Sequence, residues 1–120
     1  MFRKPLRFQK IIAPWVWFET LALGDRFRVK RIVVKPGGRL SLQSHASRAE
    51  HWVVVEGTVH VTISGEQRRL CENQSLYVPV ESQHRLENKS DKDAILIEVQ
   101  TGGYLGEDDI VRYDDVYARS

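Results

Sequence analysis

The sequence predicts an all-β domain, a sandwich or a barrel, and three observations carry that expectation. From Phe27 onward the chain divides into short β-branched and apolar runs. The runs stop at turn formers, at Pro36-Gly37-Gly38, Glu56-Gly57, Ser64-Gly65, Pro79 and Gly102-Gly103, residues that punctuate strands because of their backbone geometry. No amphipathic helical period lies between them, so nothing is left to cover a parallel sheet with helices.

At 120 residues the chain suits one domain with one core. It is expected to divide into an N-terminal arm and edge or interface segment over 1–26 and a barrel with a C-terminal extension over 27–120. Residues 1–14 read as an irregular arm able to add an edge strand, stopped by Pro14. Trp15-Val16-Trp17-Phe18 places three aromatics in four positions, a density that calls for cover by a core or by a dimer interface. Residues 27–34 form a β run, Leu40 and Leu42 alternate with Ser41 and Gln43, and 51–55 is β-branched and closed at Gly57. Within 58–63, Val59, Val61 and Ile63 alternate with His60 and Thr62, the period of a half-buried strand. Residues 67–70, 75–78, 84–88 and 94–100 complete the strands. Glu107-Asp108-Asp109, three acids ahead of Ile110, fit the start of a short helix.

Lys and Arg total 18 against 16 Asp and Glu, a net charge of +2 with the signs interspersed, which leaves no electrostatic footprint for nucleic acid. The single Cys71 excludes an internal disulfide framework. No apolar run approaches the length of a membrane span or a signal-peptide core, and the expectation is a soluble, cytoplasmic protein.

The chemistry concentrates in Gln43-Ser44-His45-Ala46-Ser47-Arg48-Ala49-Glu50-His51-Trp52 and in the later His84. An imidazole and a carboxylate near adjacent strand ends, joined by a second imidazole, would make a divalent metal site inside a barrel. Surface or structural roles are the competing reading, because no short spacing here matches a zinc motif. The two-residue period sorts the candidates. Glu50, Trp52 and Val54 share one face and His51, Val53 and Val55 the other, so an inward Glu50 makes His51 an outer residue.

Glu50 followed after six residues by Gly57, and Pro79 followed by His84 and Asn88, resemble the two motifs of the cupin superfamily. Val29-Lys30-Arg31-Ile32-Val33-Val34-Lys35-Pro36-Gly37, Arg48-Ala49-Glu50-His51-Trp52-Val53-Val54-Val55, His84-Arg85-Leu86-Glu87-Asn88 and Tyr104-Leu105-Gly106-Glu107-Asp108-Asp109-Ile110-Val111-Arg112 are similar to a narrower group. That group is the C-terminal isomerase domain of bifunctional mannose-1-phosphate guanylyltransferase/mannose-6-phosphate isomerases, the type II phosphomannose isomerases. The resemblance implies a small double-stranded β-helix, the jelly-roll barrel of cupins. It also implies a phosphorylated sugar as substrate and a divalent metal, zinc first, with manganese, cobalt, nickel or iron as alternatives. His45, Glu50 and His84 match ligand positions. Two positions depart from the pattern: Ser47 stands where the family has a second metal histidine, and Glu81 where a glycine usually follows the second-motif proline. Gln43, two residues before His45 on the same strand face, is the candidate to make up the missing ligand, because the distantly similar type I phosphomannose isomerases have a glutamine ligand at a comparable place.

Aldose-ketose isomerisation moves a proton between neighbouring carbons through an enediol, so it needs a base, an electrophile and an anchor for the phosphate. Glu98, His84 and Lys30 are the catalytic candidates implied, and Arg31, Arg48 and Arg85, with Lys30, the candidate phosphate contacts. Strand alternation lets Lys30 or Arg31 face inward, but not both. The expected activity is the interconversion of mannose 6-phosphate and fructose 6-phosphate by a homodimer. The alternatives are a metal-binding cupin of altered or lost activity and a dimerising barrel with a structural role only.

Overall fold

The computed structural model describes residues 8–106 and 108–114. Its strands in chain order are β1 (Phe8–Ala13), β2 (Val16–Leu23), β3 (Phe27–Val34), β4 (Gln43–Ser44), β5 (Arg48–Glu56), β6 (Val59–Ile63), β7 (Glu66–Leu70), β8 (Ser75–Val78), β9 (His84–Glu87), β10 (Ala94–Gly102) and β11 (Val111–Arg112). They form a six-stranded sheet in the order β1-β2-β3-β10-β5-β8 and a five-stranded sheet in the order β11-β4-β9-β6-β7. All the pairings are antiparallel. No helix occurs among the described residues, and none is therefore long and apolar enough to cross a membrane.

Register divides the interior into two layers. Phe18, Ile32, Leu96 and Val54 fall opposite one another along one row of the larger sheet, and with Val61 and Leu86 of the smaller sheet they belong to one buried apolar cluster. One inward step along each strand changes the chemistry. Phe18 gives way to Thr20, Ile32 to Lys30, Leu96 to Glu98 and then Gln100, and Trp52 to Glu50 and then Arg48, all of them buried. The barrel is thus oil-like at one end and lined with charge and amide at the other. A buried polar layer of this kind is tolerated only where its members satisfy one another.

The segment ahead of residue 27 is more regular than an arm. β1 pairs with β2, and β2 pairs with β3 from Val16↔Val34 to Leu23↔Arg28. Val16, Phe18 and Thr20 are buried by this pairing. The aromatic cluster is accordingly divided by alternation: Phe18 packs inside, Trp17 lies on the outer face beneath the Arg31 guanidinium at 5.3 Å, and Trp15 is exposed. Val53, Val55 and Tyr77 are exposed on the strands β5 and β8 of the same sheet, and His51 stacks on Tyr77 with ring centroids 4.7 Å apart.

The short helix expected at Glu107-Asp108-Asp109 does not form among the described residues, where Asp108 lies in a turn and the chain then enters β11. The reason is that Asp109 bonds elsewhere. Its carboxylate accepts from the backbone N–H groups of Ala46 and Ser47 at 3.2 and 2.9 Å, and Tyr113 N–H donates to the Leu42 carbonyl at 2.7 Å, which draws the segment out along β4.

Gly57 ends β5 with φ at +84°, in the left-handed region, and a Cβ there would lie 2.6 Å from the Asp93 carbonyl oxygen. Only glycine meets both demands without strain. Gly57→Ala is expected to lower the unfolding free energy by roughly 2–4 kcal/mol through left-handed strain plus overpacking. Urea denaturation measures it, and a loss below about 0.5 kcal/mol, the scatter of ordinary surface changes, would show that the turn relaxes freely.

Candidate metal centre

His45 follows β4, Glu50 lies on the inner face of β5, and His84 opens β9 next to Gln43, its partner in register. All three are buried, and one ligand atom from each lies within 4.8 Å of the others. His45 Nε2 is 3.3 Å from Glu50 Oε2, and the two imidazole centroids are 5.2 Å apart.

Backbone carbonyls set the tautomers. His45 Nδ1 is 2.6 Å from the Asp109 carbonyl oxygen and His84 Nδ1 is 2.9 Å from that of Ser82. A carbonyl oxygen only accepts, so each Nδ1 carries the proton and each Nε2 presents its lone pair, the arrangement of metal-ligating histidines. Burial pushes the His45 imidazole below its ordinary range, with Arg48 and His84 in the same direction, against the pull of Glu50 and the Asp109 carbonyl. That keeps it in the neutral form a cation requires. The donor set therefore fits a divalent first-row ion. A cation there takes the lone pair on which Arg48 Nη2 now donates to His45 Nε2 at 3.2 Å.

Glu50 is the pivot of the charge layer. Burial alone would push its carboxyl up, but Arg48 first, then His84, His45 and the Trp52 indole N–H, bring it down to about 2. Arg48 Nε donates to Oε2 and Trp52 Nε1 to Oε1, both at 2.9 Å. Glu98 has the opposite fate in the same layer. Burial, and next the negative charge of Glu50, push its carboxyl up to about 8, against Lys30, Arg48 and a 2.5 Å hydrogen bond from Gln100 Nε2. Two carboxyl groups in one layer thus hold different protonation states at neutral pH, the usual mark of a divided acid-base role.

The structure brings some of the sequence candidates together and separates others. His45, Glu50, His84, Arg48, Glu98 and Lys30 are all buried, with Lys30 Nζ 3.8 Å above the Phe18 ring. Gln43 is buried opposite His84, and its amide Nε2 donates to the Ser41 carbonyl at 3.2 Å. Arg31 is a correction: with Lys30 turned inward, alternation sends Arg31 to the outer face, where it meets Glu19 at 3.6 Å. Arg85 is another, because it lies between inward His84 and Leu86 and turns away from them. Its guanidinium binds the Leu40 carbonyl at 3.1 Å and the Asp114 carboxylate. Ser47 is exposed on the rim. Glu81 keeps the left-handed backbone, φ 67°, that a glycine would adopt without strain, and its N–H donates to the His45 carbonyl at 2.7 Å.

Sequence reasoning missed Asp109, Trp52, Gln100 and Arg28. Asp109 acts through its backbone carbonyl and carries no side-chain signal for that role. Arg28 was within reach of the alternation rule: it shares the inner face with Lys30 and pairs with buried Gln100.

Comparison with known proteins now adds to this geometry. The family model described as mannose-6-phosphate isomerase C-terminal matches residues 4–115. The chain belongs to that family. Xanthan biosynthesis protein XanB of Xanthomonas campestris pv. campestris is 54% identical over 112 residues, 93% of this chain and 24% of XanB. Mannose-1-phosphate guanylyltransferase ManC of Salmonella typhimurium is 50% identical over 111 residues, 92% of this chain and 23% of ManC. The chain therefore spans about a quarter of the length of these relatives. Among solved structures, an RmlC-like cupin from Shewanella frigidimarina superposes with a TM-score of 0.72 at 20% identity, over 85% of this chain and 87% of that one. At that identity the likeness concerns the fold, and this member of the mannose-6-phosphate isomerase C-terminal family has the cupin double-stranded β-helix with an N-terminal extension.

Titration calorimetry with zinc, manganese, cobalt, nickel or ferrous ion is expected to show one bound ion per chain. His45→Ala or His84→Ala should abolish uptake, while Arg31→Ala, on the outer face, should leave it unchanged. Absence of uptake of all five ions by the unsubstituted protein would overturn the metal assignment.

Proposed function

We propose that the protein is a metal-dependent phosphosugar isomerase that interconverts mannose 6-phosphate and fructose 6-phosphate. The observation that carries this reading is the placement of Glu98, a sealed carboxyl, in the same buried polar layer as the His45, Glu50 and His84 triad. Family membership supplies the substrate class. Zinc is the ion proposed, and Gln43 Oε1 is the fourth protein ligand proposed. When bound, held by His45, Glu50 and His84, the ion would supply positive charge to the substrate oxygen.

The chain's own residues account for the proton. Ionised Glu98 takes the proton from C2 of the aldose and the resulting acid returns it to C1, while the O2 hydroxyl proton passes to O1, so that C2 becomes the carbonyl and C1 the alcohol. Lys30, opposite Glu98 in register, donates to the oxygen on which charge develops. With Arg31 and Arg85 turned away, the phosphate is assigned to Arg28, which shares the inner face with Lys30, pairs in register with Gln100 and is only partly buried. Burial of Glu98 excludes competing water from the reacting carbons. The reading places the protein in the cytoplasm, where unpaired Cys71 stays reduced. A metal-binding cupin without turnover is the second reading, favoured by Ser47, which is exposed on the rim where the family pattern has a histidine.

A coupled assay for fructose 6-phosphate on metal-loaded protein tests the activity. The second-order rate constant kcat/KM should rise with pH along a limb between the ordinary carboxylate range and about 8, because only ionised Glu98 accepts a proton. Glu98→Gln should lose about 10²–10⁴-fold in kcat while still binding the ion. Turnover without that limb, or unchanged by Glu98→Gln, would remove Glu98 from the role, and no turnover with any ion would leave the second reading.

A homodimer is the assembly proposed, because Val53, Val55 and Tyr77 are exposed on the neighbouring strands β5 and β8 of the six-stranded sheet, an aromatic and aliphatic surface of the kind that interfaces cover. Light scattering at micromolar concentration should give twice the chain mass. A single-chain mass would reject the dimer.

A further inference from the structure

We propose that Gln100 and Arg48 together read one hydroxyl group in the middle of the sugar chain, which makes Gln100 a specificity-determining residue. The proposal rests on the isomerase reading for the position of the substrate.

Gln100 is fully buried. Its Nε2 donates to Glu98 Oε1 at 2.5 Å, and its Oε1 has no hydrogen-bond partner among the described residues. Arg48 is nearly as buried. Its Nε is held by Glu50, which orients the guanidinium, yet Nη1 has no partner among the described residues. Gln100 stands opposite Glu50 across the β5 and β10 pair, and Arg48 lies two residues before Glu50 on the same face. The two side chains are therefore diagonal neighbours on the inner surface, close enough for one small group to touch both.

An orphan acceptor and an orphan donor in one buried layer are costly to keep, and together they define what would satisfy them. A hydroxyl donates one hydrogen and accepts another, so it answers both. A phosphate oxygen meets repulsion from the amide carbonyl. A ketone or ether oxygen has no hydrogen to give. The hydroxyl's place in the substrate follows from β10. Glu98, assigned to the reacting carbons, lies two residues from Gln100, about 7 Å along a strand, and Gln100 faces Arg28, assigned to the phosphate. A group held between those two ends is the hydroxyl on C3 or C4.

The test is a cycle in which the residue and the hydroxyl are removed in turn. Binding to metal-loaded protein is measured by calorimetry, and kcat/KM in parallel, for mannose 6-phosphate and its 3-deoxy and 4-deoxy analogues, with wild type and Gln100→Leu. Wild type should lose tenfold or more on one analogue. Gln100→Leu should lose a similar factor on the parent sugar and little further on that analogue, because the two changes remove the same contact. Penalties that multiply for both analogues would overturn the proposal, as would failure of every sugar phosphate to bind. Coupling seen in binding without turnover would uphold the hydroxyl contact and sink the isomerase reading. Turnover without coupling would do the reverse. Retained metal uptake reports folding, and Gln100→Met, closer in shape, replaces Gln100→Leu if that variant loses it.

Discussion

Much of this barrel depends on how one buried carboxylate is neutralised. Glu50 is sealed from solvent and ionised, a state that would be untenable without compensation. Arg48 and Trp52 provide it by donating to its two oxygens at 2.9 Å, with the His45 imidazole 3.3 Å away. Each of those groups is then constrained in turn. Arg48 must be inward, so Ser47 is left on the rim. Trp52 must aim its N–H along the strand and not into the apolar layer. His45 must present Nε2, which requires an acceptor behind its Nδ1.

That acceptor comes from far along the chain. The Asp109 carbonyl bonds His45, its carboxylate caps the two amides that follow, and Asp114 bonds the Leu42 N–H and Arg85. The C-terminal segment is therefore part of the metal site's support, although it supplies no ligand itself. The Glu81 turn supports His45 from the other side, where a left-handed residue donates its N–H to the His45 carbonyl. Glu81 holds a left-handed backbone, φ 67°, where a glycine would carry no strain. It carries a local strain cost of about 1 kcal/mol for a non-glycine residue.

The same charge logic separates the two acids. Glu50 is ionised because the Arg48 guanidinium and the Trp52 N–H bind it, and its negative charge then helps hold Glu98 protonated. Stability follows with opposite signs. The contribution of Glu50 is present above the unfolded carboxylate pKa and fades as pH falls toward about 2, whereas that linked to Glu98 fades as pH climbs toward about 8.

Alternation along single strands determined, from residues alone, that Glu50 and Trp52 share a face, that His51 belongs to the other, and that only one of Lys30 and Arg31 faces in. Turn residues and short runs determined the all-β class, and the His45, Glu50 and His84 motif positions were legible because ligand chemistry limits the residue types that can serve. What alternation lacks is an absolute sign: it relates residues within a strand, but neighbouring strands must be packed before inside is distinguished from outside. Tertiary structure therefore decided that Arg85 and Arg31 leave the site while Arg28 joins its inner face, and that 16–23 pairs with β3 as a strand of the larger sheet. It also decided the roles of Asp109 and Ser82, because a backbone carbonyl is the same in every residue, and only the folded chain shows which one stands behind an imidazole.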